Sequence, residues 1–321
     1  MASYGQSEVP MADFFNQVRA RAVATGRRLV PKRWRRDIPV VPVVRLTGVI
    51  GFSTPLRPGL ALAGIARTLD RAFGMRNAKA VALLINSPGG SAVQSHLIYQ
   101  RIRALAAEKN LPVFAAVEDV AASGGYMIAC AADEIVCDPA SIVGSIGVIG
   151  ASFGFTEAIR KLGVERRIYT AGEDKSMLDP FLPEKEEDVA RLKSIQGEIH
   201  EMFIDLVRRS RGTRLTGPEK TLFSGQYWTA KTALEYGVID RLIDLRAFLR
   251  ERYGEEVVTP VVPAERSLFG WRRPGVGRLA GDLADRLADR LGPEGLFDGA
   301  GLMDDFISAV ESRSIWSRFG L

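Results

Sequence analysis

Short apolar runs alternate along the middle of the chain with longer segments in which apolar residues recur at helical spacing. The runs predict strands at Val40–Leu46, Ala80–Ile85, Val113–Val117, Glu134–Cys137, Ile142–Ile149, Glu165–Thr170 and Val238–Ile243. The periodic segments predict helices at Leu60–Phe73, Ala92–Lys109, Tyr126–Ala132, Thr156–Leu162, Glu184–Arg211 and Thr229–Tyr236. Repeated alternation of strand and helix predicts an α/β domain with helices packed around a sheet.

The two ends of the chain differ in composition from the middle. Between Arg19 and Arg36 there are eight Arg/Lys residues and no acid, beside apolar residues at helical spacing. After residue 262 the chain becomes rich in Arg, Gly, Pro and Trp, and leucines four residues apart from Leu279 to Leu291 then predict an amphipathic helix. We therefore divide the chain into a basic N-terminal extension (1–38), a central domain (39–262) and a C-terminal tail (263–321).

Charge and composition narrow the function classes. The net charge of +5 is more than accounted for by the N-terminal block, so the central domain is near neutral and is not expected to bind nucleic acid. The only two cysteines, Cys130 and Cys137, are predicted to be small buried residues, since no disulfide or zinc pattern surrounds them. Residues 1–8 lack a signal-peptide core, and no run approaches about 18 apolar residues. We expect a soluble, cytoplasmic protein.

Ser123 is the candidate nucleophile. It lies between the strand-like Val113–Val117 run and the helix-like run from Tyr126, and two glycines follow it. A serine on a sharp strand-to-helix turn is exposed for attack and has free backbone N–H groups beside it. A second glycine turn, residues 86–91, follows another strand-like run. Two such turns at neighbouring strand ends could supply a nucleophile and an oxyanion hole.

The general base that would activate Ser123 is harder to identify from the sequence. The chain has only two histidines. His96 is interpreted as a residue of a helix surface or cap and His200 as a surface residue of the long helix, although a histidine base stays open. A lysine acts as a base only when a dry pocket brings its pKa toward neutrality. Lys175 follows a predicted strand in a glycine-containing loop, and the apolar residues at 177–181 could exclude water around it.

Four ordered motifs then resemble one family. They are Asn86-Ser87-Pro88-Gly89-Gly90, Ala122-Ser123-Gly124-Gly125-Tyr126, Gly144-Ser145-Ile146-Gly147-Val148 and Gly172…Lys175…Asp179-Pro180-Phe181. This set is similar to the signal peptide peptidase A family of S49 serine peptidases, of the single-domain type, over residues 40 to 260. The resemblance implies Ser123 as nucleophile, Lys175 as general base and the N–H groups of Gly90 and Gly124 as oxyanion hole. It also implies that Ser145 orients the lysine; its other interpretation is a plain turn residue.

The resemblance also implies an architecture and an assembly. The family fold is a ClpP/crotonase-like core of repeated β-β-α units, to which we expect helical N- and C-terminal extensions to be added. Relatives form rings in which serine and lysine come from adjacent protomers, so we expect a homo-oligomeric ring here. Membrane-bound members begin with a transmembrane helix, whereas this chain has the basic segment 1–38. Peripheral contact with an inner membrane through that segment therefore stays open, as does a solvated or subunit-packed arm.

The resulting expectation is a Ser/Lys-dyad endopeptidase that cleaves unfolded or short apolar peptides, such as remnant signal peptides, through an acyl-enzyme. It needs no cofactor and no metal. Two alternatives stay open. A crotonase-type acyl-CoA enzyme would share the core but use paired carboxylates, and the acids nearest Ser123, Glu118 and Asp119, precede the turn. A non-catalytic, membrane-associated scaffold would act through the two tails.

Overall fold

A computed structural model of the chain describes residues 38–51, 59–172, 174–263, 316, 317 and 319. The strands in these residues are β1 (Val43–Thr47), β2 (Val81–Ser87), β3 (Val113–Ala122), β4 (Glu134–Cys137), β5 (Ile142–Gly144), β6 (Tyr227–Thr229) and β7 (Arg241–Leu242). They form one sheet in the order β1-β2-β3-β4-β7, and all pairs along this path are parallel. Strand β5 adds to β3 in parallel, and β6 pairs with β5 in the antiparallel sense.

The helices connect these strands and cover the sheet. They are α1 (Leu62–Phe73), α2 (Ala92–Lys109), α3 (Gly124–Ala129), α4 (Thr156–Lys161), α5 (Glu186–Arg211), α6 (Glu219–Leu222), α7 (Ala230–Glu235) and α8 (Leu245–Tyr253). The α/β class predicted from the sequence is confirmed. The long helix α5 begins with three acids in its first turn and ends with three arginines in its last, which suits the helix dipole at both ends.

Each long strand of the sheet is followed along the chain by a short second segment that pairs separately. Residues 113–117 of β3 pair with β4, whereas residues 120–122 pair with β5. An equivalent second segment follows β1 and β2, because Ile50 forms an isolated parallel bridge with Gly90. Each long strand is thus followed by a short second one before the next helix. The expected repeat of β-β-α units is confirmed by this pairing.

Both faces of the main sheet are buried, as the continuous apolar strands predict. The larger cluster lies under α1, α2 and α3 and includes Leu83 and Ile85 of β2. On the opposite face, Phe248 and Leu249 of α8 pack against Phe114 of β3, and the rings of Phe114 and Phe248 meet edge to face at 5.1 Å. The ends of the parallel strands are therefore held firmly from both sides, which fixes the turns that follow them.

Three expectations differ from the structure. The predicted strand Glu165–Thr170 is irregular and almost wholly exposed, because this segment pairs with no described strand. Strand β3 runs five residues further than predicted, since residues 120–122 find a partner in β5. The predicted strand at Ile142–Ile149 ends at Gly144. The helices expected in residues 1–37 and at 279–291 lie outside the described residues.

A short piece of the C-terminal tail returns to the sheet. Phe319 is 8% exposed and packs against Val120 and Ala122 of β3. Its ring centre lies 5.0 Å from that of Tyr227 in β6. The face of β3 immediately before Ser123 is therefore covered by residues from the far end of the chain.

Candidate active site

Ser123 lies at the junction of β3 and α3, as the sequence predicts. Its backbone has φ 51° and ψ −120°, a conformation that residues with a side chain rarely adopt. Its amide N–H donates to the carbonyl oxygen of Gly144 at 2.8 Å, and its own carbonyl accepts from Met127 at 3.0 Å. Both bonds hold the sharp turn in place. A serine in this position is presented at the end of a strand and at the start of a helix, where nucleophiles of α/β hydrolases are found.

The glycines after Ser123 allow helix α3 to pack closely. A Cβ atom on Gly124 would lie 2.2 Å from Oγ of Ser95, and one on Gly125 would lie 2.5 Å from the carbonyl oxygen of Ser87. Any other residue would push the helix away from α2 and β2. The two glycines therefore set the position of the helix start, and with it the direction of the first free N–H groups.

The second glycine turn lies directly against Ser123. A Cβ on Gly89 would come within 2.8 Å of Cβ of Ser123, and one on Gly90 within 2.1 Å of the Ile50 carbonyl oxygen. Gly89 and Gly90 have φ of 102° and 140°. Among the described residues, no acceptor is recorded for the amide N–H of Gly90 or of Gly124. The fold thus brings both predicted oxyanion-hole residues beside the candidate nucleophile, with their donors unused.

Ser145 lies on the neighbouring strand end. Ala122 and Gly144 are register partners in the β3–β5 ladder, so Ser123 and Ser145 follow equivalent positions. Ser145 is half-buried with φ 53°, and its amide donates to the carbonyl of Gln226 at 2.6 Å. The sequence-predicted serines therefore sit on adjoining turns. Whether the Ser145 hydroxyl orients a lysine stays a prediction.

Lys175 lies on an exposed arm formed by residues 149–185. Its side chain is exposed and makes no recorded hydrogen bond or ion pair with a described residue. The arm is ordered by a small cluster of its own. Phe155 stacks on Phe181 at 5.5 Å, and Asp179 accepts from the Phe181 amide at 2.9 Å and from Arg166 at 3.1 Å. The expected dry pocket around Lys175 is not formed within one chain.

The Asp179 carboxylate explains part of the fourth motif. The Phe181 amide N–H that it accepts, together with the Arg166 guanidinium, holds the pKa of this carboxyl below its ordinary value. Arg166 also lies over the Phe181 ring, 5.2 Å from its centre. The Asp179-Pro180-Phe181 motif therefore has a structural role: it fixes the loop that carries Lys175.

The two histidines differ in their surroundings. His96 stacks on Tyr99 with ring centres 6.3 Å apart, which agrees with its structural interpretation. His200, interpreted as a surface residue of the long helix, is half-buried, and its Nε2 lies 3.1 Å from the carbonyl oxygen of Ile146. The surface interpretation is wrong, because helix periodicity does not reveal which turn of another segment packs onto the helix.

A buried ion pair lies next to helix α3, and the sequence analysis did not predict it. Arg211 has a fully buried side chain that binds both carboxylate oxygens of Asp240, at 2.8 and 2.9 Å, and the carbonyl of Gly237. Burial alone would raise the pKa of Asp240, but the bonds from Arg211 outweigh it and the pKa lies below its ordinary value. Tyr126 of α3 donates to the carbonyl of Val238 at 2.8 Å. An arginine at a helix end gives no local signal that its partner lies 29 residues away.

The remaining polar groups near the turn, and the two cysteines, have structural surroundings. Cys130 and Cys137 are free and buried, as predicted, and burial raises the pKa of the Cys130 thiol to about 11. Among the described residues, no group of three His, Cys, Asp or Glu side chains is arranged to hold a metal ion. Glu118 pairs with Arg45 at 2.9 Å and Asp119 accepts from Asn86, so the two acids nearest the turn are bound elsewhere. No helix in the described part of the chain is long and apolar enough to cross a membrane.

Comparison with known proteins agrees with this geometry. The model of peptidase family S49 matches residues 106–254, which include Ser123, Ser145 and Lys175. The chloroplastic serine protease SPPA of Arabidopsis thaliana is 35% identical over 163 residues, 50% of this chain and 24% of that protein. Protease 4 of Haemophilus influenzae is 34% identical over 180 residues, 56% of this chain and 28% of its own length. An α/β core with a strained serine beside free backbone donors agrees with the match of residues 106–254 to peptidase family S49.

Two further similarities concern larger or more distant proteins. The Na⁺/H⁺ antiporter NhaA of Brucella abortus is 51% identical over 297 residues, which cover 92% of this chain but 39% of that protein. The chain thus spans less than two thirds of the length of each of these three relatives. A solved structure of the membrane-bound stomatin-specific protease 1510-N is similar with a TM-score of 0.43 at 18% identity, covering 72% of this chain and all of that one.

Proposed function

We propose that the protein is a serine endopeptidase that uses a Ser123/Lys175 dyad. One observation carries the proposal: Ser123 has φ 51°, next to two backbone N–H groups, of Gly90 and Gly124, that have no acceptor among the described residues. Such strain persists at functional sites because the surrounding structure enforces it. The match of residues 106–254 to peptidase family S49 supports the same chemistry.

The proposed reaction assigns a step to each of these groups. Oγ of Ser123 attacks the peptide carbonyl while the unprotonated amine of Lys175 takes the hydroxyl proton. The oxyanion of the tetrahedral intermediate accepts from Gly90 and Gly124, each worth about 3–4 kcal/mol in comparable enzymes. The intermediate expels the amine, which receives the proton from the lysine, and an acyl-enzyme remains. Water, deprotonated by the same lysine, then releases the acid and restores Ser123.

The substrates in this proposal are unfolded or short apolar peptides, such as remnant signal peptides. A free backbone is needed to reach two amide donors in a narrow turn, which a folded segment does not offer. Exposed apolar side chains on the 149–185 arm, which also carries Lys175, would suit apolar residues of the substrate; they include Phe153 at 78% and Tyr169 at 92% exposure.

We further propose that the dyad is completed between two copies in a homo-oligomer. Lys175 is exposed in one chain, so a base on this arm needs a second surface to exclude water from it. The arm presents further large exposed apolar residues that a neighbouring copy would bury: Ile149, Leu162 and Val164. Exposed apolar patches often mark protein–protein interaction sites.

The basic segment 1–38 is proposed to touch the anionic cytoplasmic leaflet of a membrane. Its eight Arg/Lys residues between Arg19 and Arg36 support this, at about 1 kcal/mol for each basic residue close to the surface. Co-sedimentation with vesicles containing anionic lipid is expected for the full chain and not for a chain in which these eight residues are changed to Gln. Equal binding by both would end this part of the proposal.

The test of the chemistry is labelling with a fluorophosphonate probe, followed by peptide mass spectrometry. An adduct on Ser123 is expected in the unmodified protein, with none in Ser123→Ala and almost none in Lys175→Met. The absence of an adduct on the folded, assembled protein would contradict the proposal. Tight binding of a CoA thioester would then favour the crotonase-type alternative. If the protein neither takes the label nor binds a CoA thioester, a non-catalytic scaffold would be favoured.

A further inference from the structure

The turn that carries Ser145 is held between two other segments. On one side, Ser145 donates its amide N–H to Gln226, and a Cβ on Gly147 would lie 3.0 Å from Cα of Gly225. On the other side lies α5, where Nε2 of His200 is 3.1 Å from the carbonyl oxygen of Ile146. This is the contact through which a side chain of the long helix reaches the backbone of the turn.

The chemistry of this contact requires a hydrogen atom on Nε2 of His200. A carbonyl oxygen only accepts, so Nε2 of His200 must carry hydrogen when it bonds to Ile146. Such an Nε2 donates and cannot take a proton from a nucleophile. The bond also survives if the ring is protonated, because both ring nitrogens then donate. His200 is therefore placed to hold backbone, whatever its charge.

The turn in question is coupled to the candidate nucleophile. Gly144, two residues before Ile146, accepts the amide N–H of Ser123 at 2.8 Å. Three positions of this network have positive φ: Ser123 at 51°, and Gly144 and Ser145 at 113° and 53°. Backbone in such conformations relaxes unless its surroundings over-determine it. A hydrogen bond at Ile146 is one of these constraints.

We propose that His200 is a positioning residue for the peptidase reaction, acting through the Gly144–Gly147 turn. The inference rests on the proposed function, since it concerns the reactivity of Ser123. His200 keeps the Gly144 carbonyl where it fixes the Ser123 amide, and it keeps the Ser145 hydroxyl at a constant distance from Ser123. It does not touch the reacting atoms.

The experiment compares His200→Ala with His200→Gln in the full chain. The glutamine amide can donate from nearly the position of Nε2, whereas alanine cannot. We expect the alanine variant to slow fluorophosphonate labelling of Ser123 about tenfold, because a small misplacement of a nucleophile is costly. Peptide turnover should show the loss in kcat, with KM changed less than about twofold. The glutamine variant should restore most of the rate. His96→Ala, which removes the other histidine, is the matched control and should label normally.

A second readout does not depend on catalysis. Amide hydrogen exchange of peptides covering 120–127 and 142–148 should speed up in His200→Ala and return to normal in His200→Gln. If Ser123 of the unmodified protein takes no label, the proposed function fails, and this exchange pattern alone decides the positioning role. Unchanged labelling and exchange in the alanine variant would overturn the inference. So would a glutamine variant as slow as alanine at an equal melting temperature.

Discussion

The amide N–H of Ser123 donates to the carbonyl oxygen of Gly144 at 2.8 Å, and this bond ties two neighbouring strand ends together. It links the turn of the candidate nucleophile to the turn of Ser145, which follows Gly144 directly. A change in the geometry of either turn should therefore alter the other.

Gly89→Ala should remove the reactivity of Ser123. The new methyl group would lie 2.8 Å from Cβ of Ser123, at a position with φ 102°. We expect fluorophosphonate labelling to fall about 100-fold, because the serine or the turn must move. Gly48→Ala is the matched control: its φ is 105°, but no atom lies within 4 Å of the added methyl. An equal loss in both variants would show that backbone strain alone, rather than contact with Ser123, causes the effect.

Ser145→Gly and Ser145→Ala separate the hydroxyl of Ser145 from its backbone. Glycine suits the φ of 53° better than serine does, so Ser145→Gly should keep the turn while losing the hydroxyl. If the hydroxyl orients the lysine, both variants should lower kcat about tenfold, as expected for the loss of one orienting group. Steady-state kinetics on an apolar peptide measures this. Full activity in the glycine variant would reduce Ser145 to a turn residue.

Mixing two inactive variants tests whether the dyad spans two copies. Ser123→Ala and Lys175→Met are co-expressed at equal levels with different tags, and assemblies carrying both tags are purified. If serine and lysine come from adjacent copies, about a quarter of the sites combine an intact serine with an intact lysine and regain activity. If both come from one chain, each chain lacks one partner and the mixture stays inactive. Each variant alone is the control.

Asp240→Asn should destabilise the fold strongly. It leaves the buried Arg211 guanidinium without its counter-charge, which typically costs about 3–5 kcal/mol in free energy of unfolding. Urea unfolding at neutral pH measures this loss. Glu251→Gln is the control, since its pair with Arg241 at 2.7 Å is exposed and should be worth under about 1 kcal/mol.

The same carboxylate predicts a pH dependence. The pKa of Asp240 is lowered in the folded state, so its contribution is fully present above its unfolded pKa of about 4. That contribution disappears as the pH falls through the lower folded value, because both states then bind the proton. The unmodified protein should therefore lose more stability than Asp240→Asn between neutral and strongly acidic pH. Parallel stability curves for the two proteins would contradict the assigned role of the pair.

Phe319→Ala should loosen the covered face of β3. The ring is 8% exposed against Val120 and Ala122, and a buried phenylalanine loses about 3–5 kcal/mol when it is truncated in a core. The clearest effect should be faster amide exchange at 120–122. Phe319→Leu should retain most of the protection. Unchanged exchange in the alanine variant would mean that this segment does not cover the strand.

Much of the site could be read from the sequence because its signals are local. Ser123 stands between an apolar run and a helical run with two glycines behind it, and Gly89-Gly90 closes another apolar run in the same way. The positive φ of Gly89 and Gly90 is a local backbone requirement that glycine meets without strain, so it leaves a signal in the sequence. The alternation of apolar runs and periodic segments is also a local signal, so it was enough to predict the α/β class.

The tertiary structure decided the rest, because those contacts join distant parts of the chain. The bond from His200 to Ile146 spans 54 residues, and the pair of Arg211 with Asp240 spans 29. Nothing in the periodicity of α5 distinguishes these two side chains from solvated ones. The extension of β3 and its cover by Phe319 also depend on partners that only folding brings near. Local sequence determined which turns could hold a nucleophile and an oxyanion. Long-range packing decided which side chains hold those turns in place, because burial and hydrogen bonding depend on neighbours in space.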